Sequence, residues 1–357
     1  MACAKTADTA ILFVHGIGEP SPLITLLALV EGLLATELKC GDSRIRRVPV
    51  PFQPIDQRYM LVVTTGEGAR FDFYEHYWAP HTTGQQLSVL LCWLLRLALQ
   101  PAGELAPAGR AGVALLRVWF LSLIASVVLL VGQPLYPLSW SPSILAAVVW
   151  TGLSITALQL LVPLLGDAAC YLLAKPSTVT SARRIESDFQ KTLIRLQAMA
   201  RYQKIVIIGH SLGSVIAYHG LCELFQRANC GADLPWCSKI QTLVTIGSPL
   251  AHAPLILAST KLSWRRRLQL GFERTASKRP GTLFGEVAWH NLYDPVQKQL
   301  SGDPVGGALA RHFGKGVSDH SMKMPFRGFT HSKYWCGHRS GNPHQQLLRQ
   351  LIGLSGR

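Results

Sequence analysis

Three kinds of hydrophobic run alternate along this chain, and each predicts a different element. Short, largely β-branched runs bounded by turn residues predict buried strands at Ile11–Val14, Lys204–Ile208 and Ile240–Ile246, with another over Glu286–Tyr293. Partly alternating runs at Tyr59–Thr64 and Arg70–Tyr77, joined through Gly66-Glu67-Gly68, predict a hairpin. Helical spacing marks Leu23–Leu38, apolar nearly all round and so expected to be buried against the sheet. It also marks Ser181–Tyr202, with Ile185, Phe189, Leu193, Leu196 and Met199 on one face and Arg183, Glu186, Lys191 and Arg195 largely elsewhere. Arg44–Pro54, basic and punctuated by prolines, reads as a surface connection. Strands separated by helices in this way predict an α/β fold with a mostly parallel sheet flanked by helices.

A further run is much longer. From Val118 to Gly166 there is no Asp, Glu, Lys or Arg. Val113–Val131 and Ile144–Leu165 each reach the roughly 20 residues needed to cross a bilayer core. A proline-rich turn between them carries Tyr136 and Trp140 at interfacial depth. The expectation is a transmembrane hairpin, the alternative a buried helical cap, for which Thr151, Ser154, Thr156 and Gln159 leave room. Leu87–Leu99 is too short to span and is interrupted by Arg96, which suits an interfacial helix or core packing. Three segments follow: residues 1–80 and 181–357 as two parts of one domain, and residues 81–180 as an inserted membrane-associated region. Arg110 and Arg117 before the hairpin, and Lys175, Arg183 and Arg184 after it, contrast with the uncharged turn and place both feet on the cytoplasmic side.

Composition agrees with membrane contact. Of the 357 residues 48% are hydrophobic and only 15% charged, and the mean hydropathy is +0.22. A formal charge of +15 suits nucleic acid or an anionic lipid surface. No zinc-finger spacing or aromatic RNP-like strand accompanies the basic residues, which favours lipid and no nucleic acid. Lys261, Arg265, Arg266, Arg267, Arg274, Lys278 and Arg279, with Trp264 and Phe272 among them, form either a solvated loop or a headgroup-binding patch. The eight cysteines lack paired metal-ligand spacing and read as reduced thiols. Met1 leads through a short polar stretch directly into a strand, so no secretory signal is expected.

Chemistry concentrates where the strand Lys204–Ile208 runs into Gly209-His210-Ser211-Leu212-Gly213 and a helix. A serine at a sharp strand-to-helix corner needs close-packed neighbours without side chains two places before and after it, as Gly209 and Gly213 provide. The helix starting at Leu212 aims its unpaired N–H groups and positive dipole end at any oxyanion formed on Ser211.

This stretch resembles the nucleophile elbow of α/β-hydrolases, in the form common among lipase-like and esterase-like members. The resemblance covers roughly Ile11–Tyr77 and Ser181–Trp335. It implies an α/β-hydrolase fold with the membrane hairpin inserted, and cofactor-free, metal-free ester hydrolysis by a serine nucleophile. It implies an oxyanion hole formed by Leu212 N–H and, from the loop His15-Gly16-Ile17-Gly18, by Ile17 N–H, with His15 orienting that loop. The acid follows a late strand and the histidine comes further on. Asp294 and Asp303 both qualify as acid; Gly302-Asp303-Pro304-Val305-Gly306-Gly307 looks like the acid loop of membrane-associated bacterial hydrolases and selects Asp303. His320 and His331 both qualify as base; His331-Ser332-Lys333-Tyr334-Trp335 is similar to the histidine loop of the same hydrolases and selects His331. The implied substrate is a lipid or other acyl ester. Acyl transfer and thioester cleavage would use the same residues, and a catalytically silent scaffold binding lipid or a membrane partner is the competing class.

Overall fold

In the computed structural model of this chain, the residues described are 8–18, 21–51, 59–82, 87–99, 107–132, 142–173, 176–229, 239–253, 287–297, 301–337 and 341–354. The turn with Tyr136 and Trp140, the basic segment from Lys261 to Arg279, and the start of the chain lie outside them. The described residues form two compact units, one within 8–81, 183–253 and 287–354, the other within 82–182.

The first unit is built on an eight-stranded sheet: β1 (Thr9–Val14), β2 (Arg44–Pro49), β3 (Tyr59–Thr64), β4 (Arg70–His76), β5 (Lys204–His210), β6 (Ile240–Ile246), β7 (Ala288–Tyr293) and β8 (Val317–Ser321). Their order is β2-β3-β4-β1-β5-β6-β7-β8. From β4 to β8 all neighbours are parallel, while β2 and β3 pair antiparallel at one edge. β1 and β5 are solidly apolar because they are covered on both faces, and Ile11, Leu12, Val206 and Ile207 are fully buried. β4 and β5 both run parallel to β1, which lies between them, so the chain leaves β4 at the sheet's C-terminal edge.

Four sequence readings need correction here, and one strand went unforeseen. Arg44–Pro49 is an edge strand, not a connection: Ile45 and Val48 are half-buried, while Arg44, Arg46 and Arg47 are exposed and charge the unpaired edge. The helix expected over Leu23–Leu38 breaks at Leu34 into α1 (Ile24–Leu33) and α2 (Ala35–Cys40). Only one face of α1 is covered, since Ile24 and Leu27 remain 55% and 37% exposed. Glu186 sits buried in the amphipathic helix rather than outside, and β8 had no sufficiently apolar signal to be foreseen.

In the second unit, α3 (Leu87–Ala98) buries Leu90, Leu94 and Leu97 in a cluster with Leu158 and Ala169 from α5 (Pro142–Leu172). α4 (Pro107–Gly132) packs along α5, and Trp150 Nε1 donates to Ser122 Oγ at 3.2 Å. Arg117 Nε donates to the free carbonyl of Ala98 at 2.7 Å, ending α3. Two stretches, Arg110–Gly132 and Pro142–Val162, are long and apolar enough to cross a membrane, and only 6% and 22% of their apolar windows are buried. Ser122, Ser126 and Thr156 return their hydroxyl hydrogens to carbonyls of their own helices, which satisfies these three donors without water.

α6 (Pro176–Ala198) leads into β5, and α7 (Leu212–Asn229) leaves it. α7 lies so close to β1 that a Cβ on Gly213 would overlap the backbone oxygens of Val14 and His15. Gly213→Ala is therefore expected to destabilise the protein by about 3 kcal/mol, because backbone on both sides would have to move. Gly152→Ala, where a Cβ meets nothing within 4 Å, serves as the unaffected comparison in thermal unfolding of the full chain in detergent.

Candidate active site

The site is assembled at the C-terminal edge of the parallel strands. Ser211 ends β5 in the left-handed region, with φ 51°, one of two non-glycine residues so placed among the described residues. That costs about 1–2 kcal/mol and persists because the corner is pinned on both sides. Its N–H donates to Ile246 O at 3.0 Å, and its carbonyl accepts from Ser214 N at 3.0 Å and Ser214 Oγ at 2.6 Å. Ser248, fully buried, is bonded to Ser214 Oγ at 2.6 Å and caps Leu250 N–H at 3.3 Å, so its hydroxyl belongs to this scaffold.

His331 meets Ser211 directly, with Nε2 at 2.9 Å from Oγ. Its Nδ1 lies 3.0 and 3.1 Å from the two carboxylate oxygens of Asp303. A carboxylate can only accept, so Nδ1 carries the hydrogen and Nε2 presents a lone pair to the serine hydroxyl. Burial works to raise the Asp303 pKa, but the hydrogen bond and charge of His331, then Tyr334 Oη and Val305 N–H, outweigh it and hold the group below its usual range.

Asp294 has a different task. Its carboxylate accepts from Thr330 Oγ1 at 2.7 Å and from Met324 N at 3.2 Å, anchoring the loop immediately before His331. Burial dominates here and leaves its pKa raised. His320, the other candidate base, lies on β8, with Nε2 3.1 Å from His290 Nδ1. Of the candidate bases and acids, His331 is the one bonded to Ser211 and Asp303 the one bonded to His331.

The loop after β1 touches the serine as well: a Cβ on Gly16 would lie 2.9 Å from Ser211 Cβ. His15 fixes this loop. Its Nδ1–H donates to Gly16 O at 2.7 Å, its Nε2 accepts Trp78 N–H at 3.3 Å, and its ring stacks on Trp78 with centroids 5.0 Å apart. In a trans peptide the C=O and the next N–H point oppositely, so tying Gly16 O to His15 turns Ile17 N–H the other way. Burial pushes the His15 pKa down to about 4, which keeps this ring neutral and its two roles fixed. Leu212 opens α7, where a first-turn N–H has no partner within the helix.

No family model matches the chain, and no curated protein matches it either. The functional reading therefore rests on the site itself.

Several contributors went unread in the sequence. Gly247, with φ 54°, lets the turn after β6 approach the triad so closely that a Cβ would lie 2.7 Å from Asp303 Oδ2 and 3.1 Å from His331 Nδ1. Its signal was the glycine directly after a buried strand. His210 Nε2–H donates to His331 O at 3.1 Å, and its ring packs 4.6 Å from Trp335; burial and the neighbouring His331 hold its pKa down to about 3. Among the described residues no group of three or more His, Cys, Asp or Glu side chains could hold a metal ion. An arrangement of this kind can move a serine proton to Nε2 and deliver it to a leaving group.

Proposed function

We propose that this chain is a membrane-anchored serine hydrolase of the α/β-hydrolase type that cleaves carboxylic esters of lipids or other acyl compounds through an acyl-enzyme on Ser211. One observation carries the proposal: an unbroken relay, Ser211 Oγ to His331 Nε2 at 2.9 Å and His331 Nδ1 to Asp303 at 3.0 Å, on a strained corner opening α7. His331 takes the serine proton as Oγ attacks the ester carbon, and returns it to the departing alcohol oxygen. A water molecule then gives its proton to His331 and its hydroxide to the acyl carbon; the bond from that carbon to Ser211 Oγ breaks, His331 returns the proton to Oγ, and the acid leaves. Leu212 and Ile17 N–H bind the oxyanion.

Two features support an apolar substrate. Phe329 and Val296 are 55% and 57% exposed, large apolar residues beside the loop that bears Asp303. Phe329 bridges to Gly302, and its ring centroid lies 5.8 Å from that of His331. The two membrane-length helices support anchoring, and the flanking arginines support a cytoplasmic catalytic side, the inner membrane in a bacterium.

The test is a series of p-nitrophenyl esters of rising chain length on the full chain in detergent, with carbonate extraction of native membranes. Expected are retention in the membrane pellet and a kcat/KM that climbs roughly 4-fold per newly buried methylene. Preference for acetyl over every longer group would remove the lipid part of the proposal, and an inert protein the hydrolytic part.

A further inference from the structure

The Asp303 carboxylate has a second, fully buried neighbour that the relay does not use. Tyr334 Oη donates to Asp303 Oδ2 at 2.7 Å and accepts the backbone N–H of Asp294 at 3.2 Å. Val305 N–H holds the other oxygen, Oδ1, at 2.9 Å. Both oxygens are thus tethered while both remain within 3.1 Å of His331 Nδ1. Tyr334 also lies three residues beyond His331, at the far side of the turn closed by Lys333 N–H to Thr330 O at 2.8 Å. The near side of that turn is held by Asp294 through Thr330. One phenol therefore ties the acid loop to the histidine loop, and the tie is mediated by a group with no freedom to swing, its ring lying 5.0 Å from His344 and 6.0 Å from His210.

We propose that Tyr334 is a positioning residue for the hydrolytic relay: its hydroxyl fixes the plane of the Asp303 carboxylate toward His331 and keeps that carboxylate the partner of the imidazolium formed during turnover. This rests on the reading of Ser211, His331 and Asp303 as a triad. A carboxylate in a buried site with one strong donor removed holds its negative charge less well and protonates more readily. A loose carboxylate also lets the imidazole rotate away from Ser211 Oγ, which costs rate and not substrate affinity. The other titratable groups facing this pair are His210, His252, His344 and Asp294. Burial holds His210 and His344 down to about 3 and about 4, and lowers His252, so these three rings stay neutral over the neutral range. Asp294 keeps its Thr330 and Met324 bonds whether or not the phenol is present.

The experiment compares wild type, Tyr334→Phe and a protein carrying 3,5-difluorotyrosine at 334, in full-length form in detergent, by pH profiles of kcat and KM on one ester. In Tyr334→Phe, kcat is expected to fall about 10-fold with KM unchanged, and the acid limb to move upward by about one pH unit, because a carboxylate with one donor fewer is a stronger base and favours the protonated relay. Difluorotyrosine, a stronger donor while it stays protonated, is expected to keep kcat below neutral pH and move the acid limb the other way. A phenol that merely fills space would lower active protein at every pH and leave the limb where it was; that result, or unaltered kinetics in Tyr334→Phe, overturns the assignment. A wild-type protein that neither hydrolyses esters nor takes a fluorophosphonate label removes the triad reading, and this assignment with it.

Discussion

Ser211→Ala is expected to abolish the proposed ester hydrolysis, with kcat reduced by about 10⁴-fold or more, and to eliminate labelling by a fluorophosphonate. The hydroxyl is the group facing His331 Nε2, and its scaffold neighbour Ser248 is buried with its oxygen bonded to Ser214, so Ser248 is not placed to replace it. A second variant separates chemistry from folding. At φ 51° alanine is as strained as serine, while glycine is not. Ser211→Gly should be equally inactive yet more stable than Ser211→Ala, by about 0.5–1 kcal/mol once the greater freedom of glycine in the unfolded chain is counted. Thermal unfolding in detergent reads the difference. A glycine variant less stable than the alanine variant by about 0.5–1 kcal/mol would mean that the corner stores no strain; residual turnover near wild type would mean that another group attacks the ester.

The strain at Ser211 shows why so much of the nucleophile corner could be read in advance. Its glycines, its β-branched strand and its helix form one continuous stretch, so each residue type answers a local steric demand. Gly209 and Gly213 were singled out on that basis, and side chains there would strike Ser214 and the end of β1. The strands of the sheet centre were equally legible, because burial on both faces leaves an unbroken apolar run. Edge elements carry no such mark. β2 spends three of its six positions on exposed arginines, and β8 holds Ser318, Asp319 and His320 in a strand of half-covered residues. The relay partners sit further still from local rules, since which aspartate reaches His331 depends on how a turn after β7 folds back on itself. Motif resemblance ranked Asp303 and His331 first. Tyr334 was legible only as part of the stretch that selected His331; its bonds to Asp303 and to the Asp294 backbone depend on two turns meeting.

The same two turns set the second large effect. Asp303→Asn is expected to lower kcat by about 10³–10⁴-fold near neutral pH, whereas Asp294→Asn should cost less than 10-fold. An asparagine at 303 presents an N–H₂ to the imidazole or leaves it to choose either tautomer; when Nδ1 becomes the acceptor, the hydrogen moves to Nε2 and Ser211 Oγ loses its base. Tyr334 Oη and Val305 N–H sharpen this effect. Both are donors aimed at Asp303 oxygens, so turning the amide either way sets its N–H₂ against one of them. At 294 the substitution is mild for the opposite reason. Burial already raises the Asp294 pKa, which makes a neutral side chain inexpensive there. Asparagine keeps one carbonyl oxygen for Met324 N–H, and the Thr330 hydroxyl can rotate to accept from the new amide. The loss is then about 1 kcal/mol of loop stability, visible in thermal unfolding more than in turnover. If Asp294→Asn instead proves the more damaging in kcat, the carboxylate that stabilises the imidazolium is Asp294, and the 3.0 Å contact between His331 and Asp303 is not the one used in turnover.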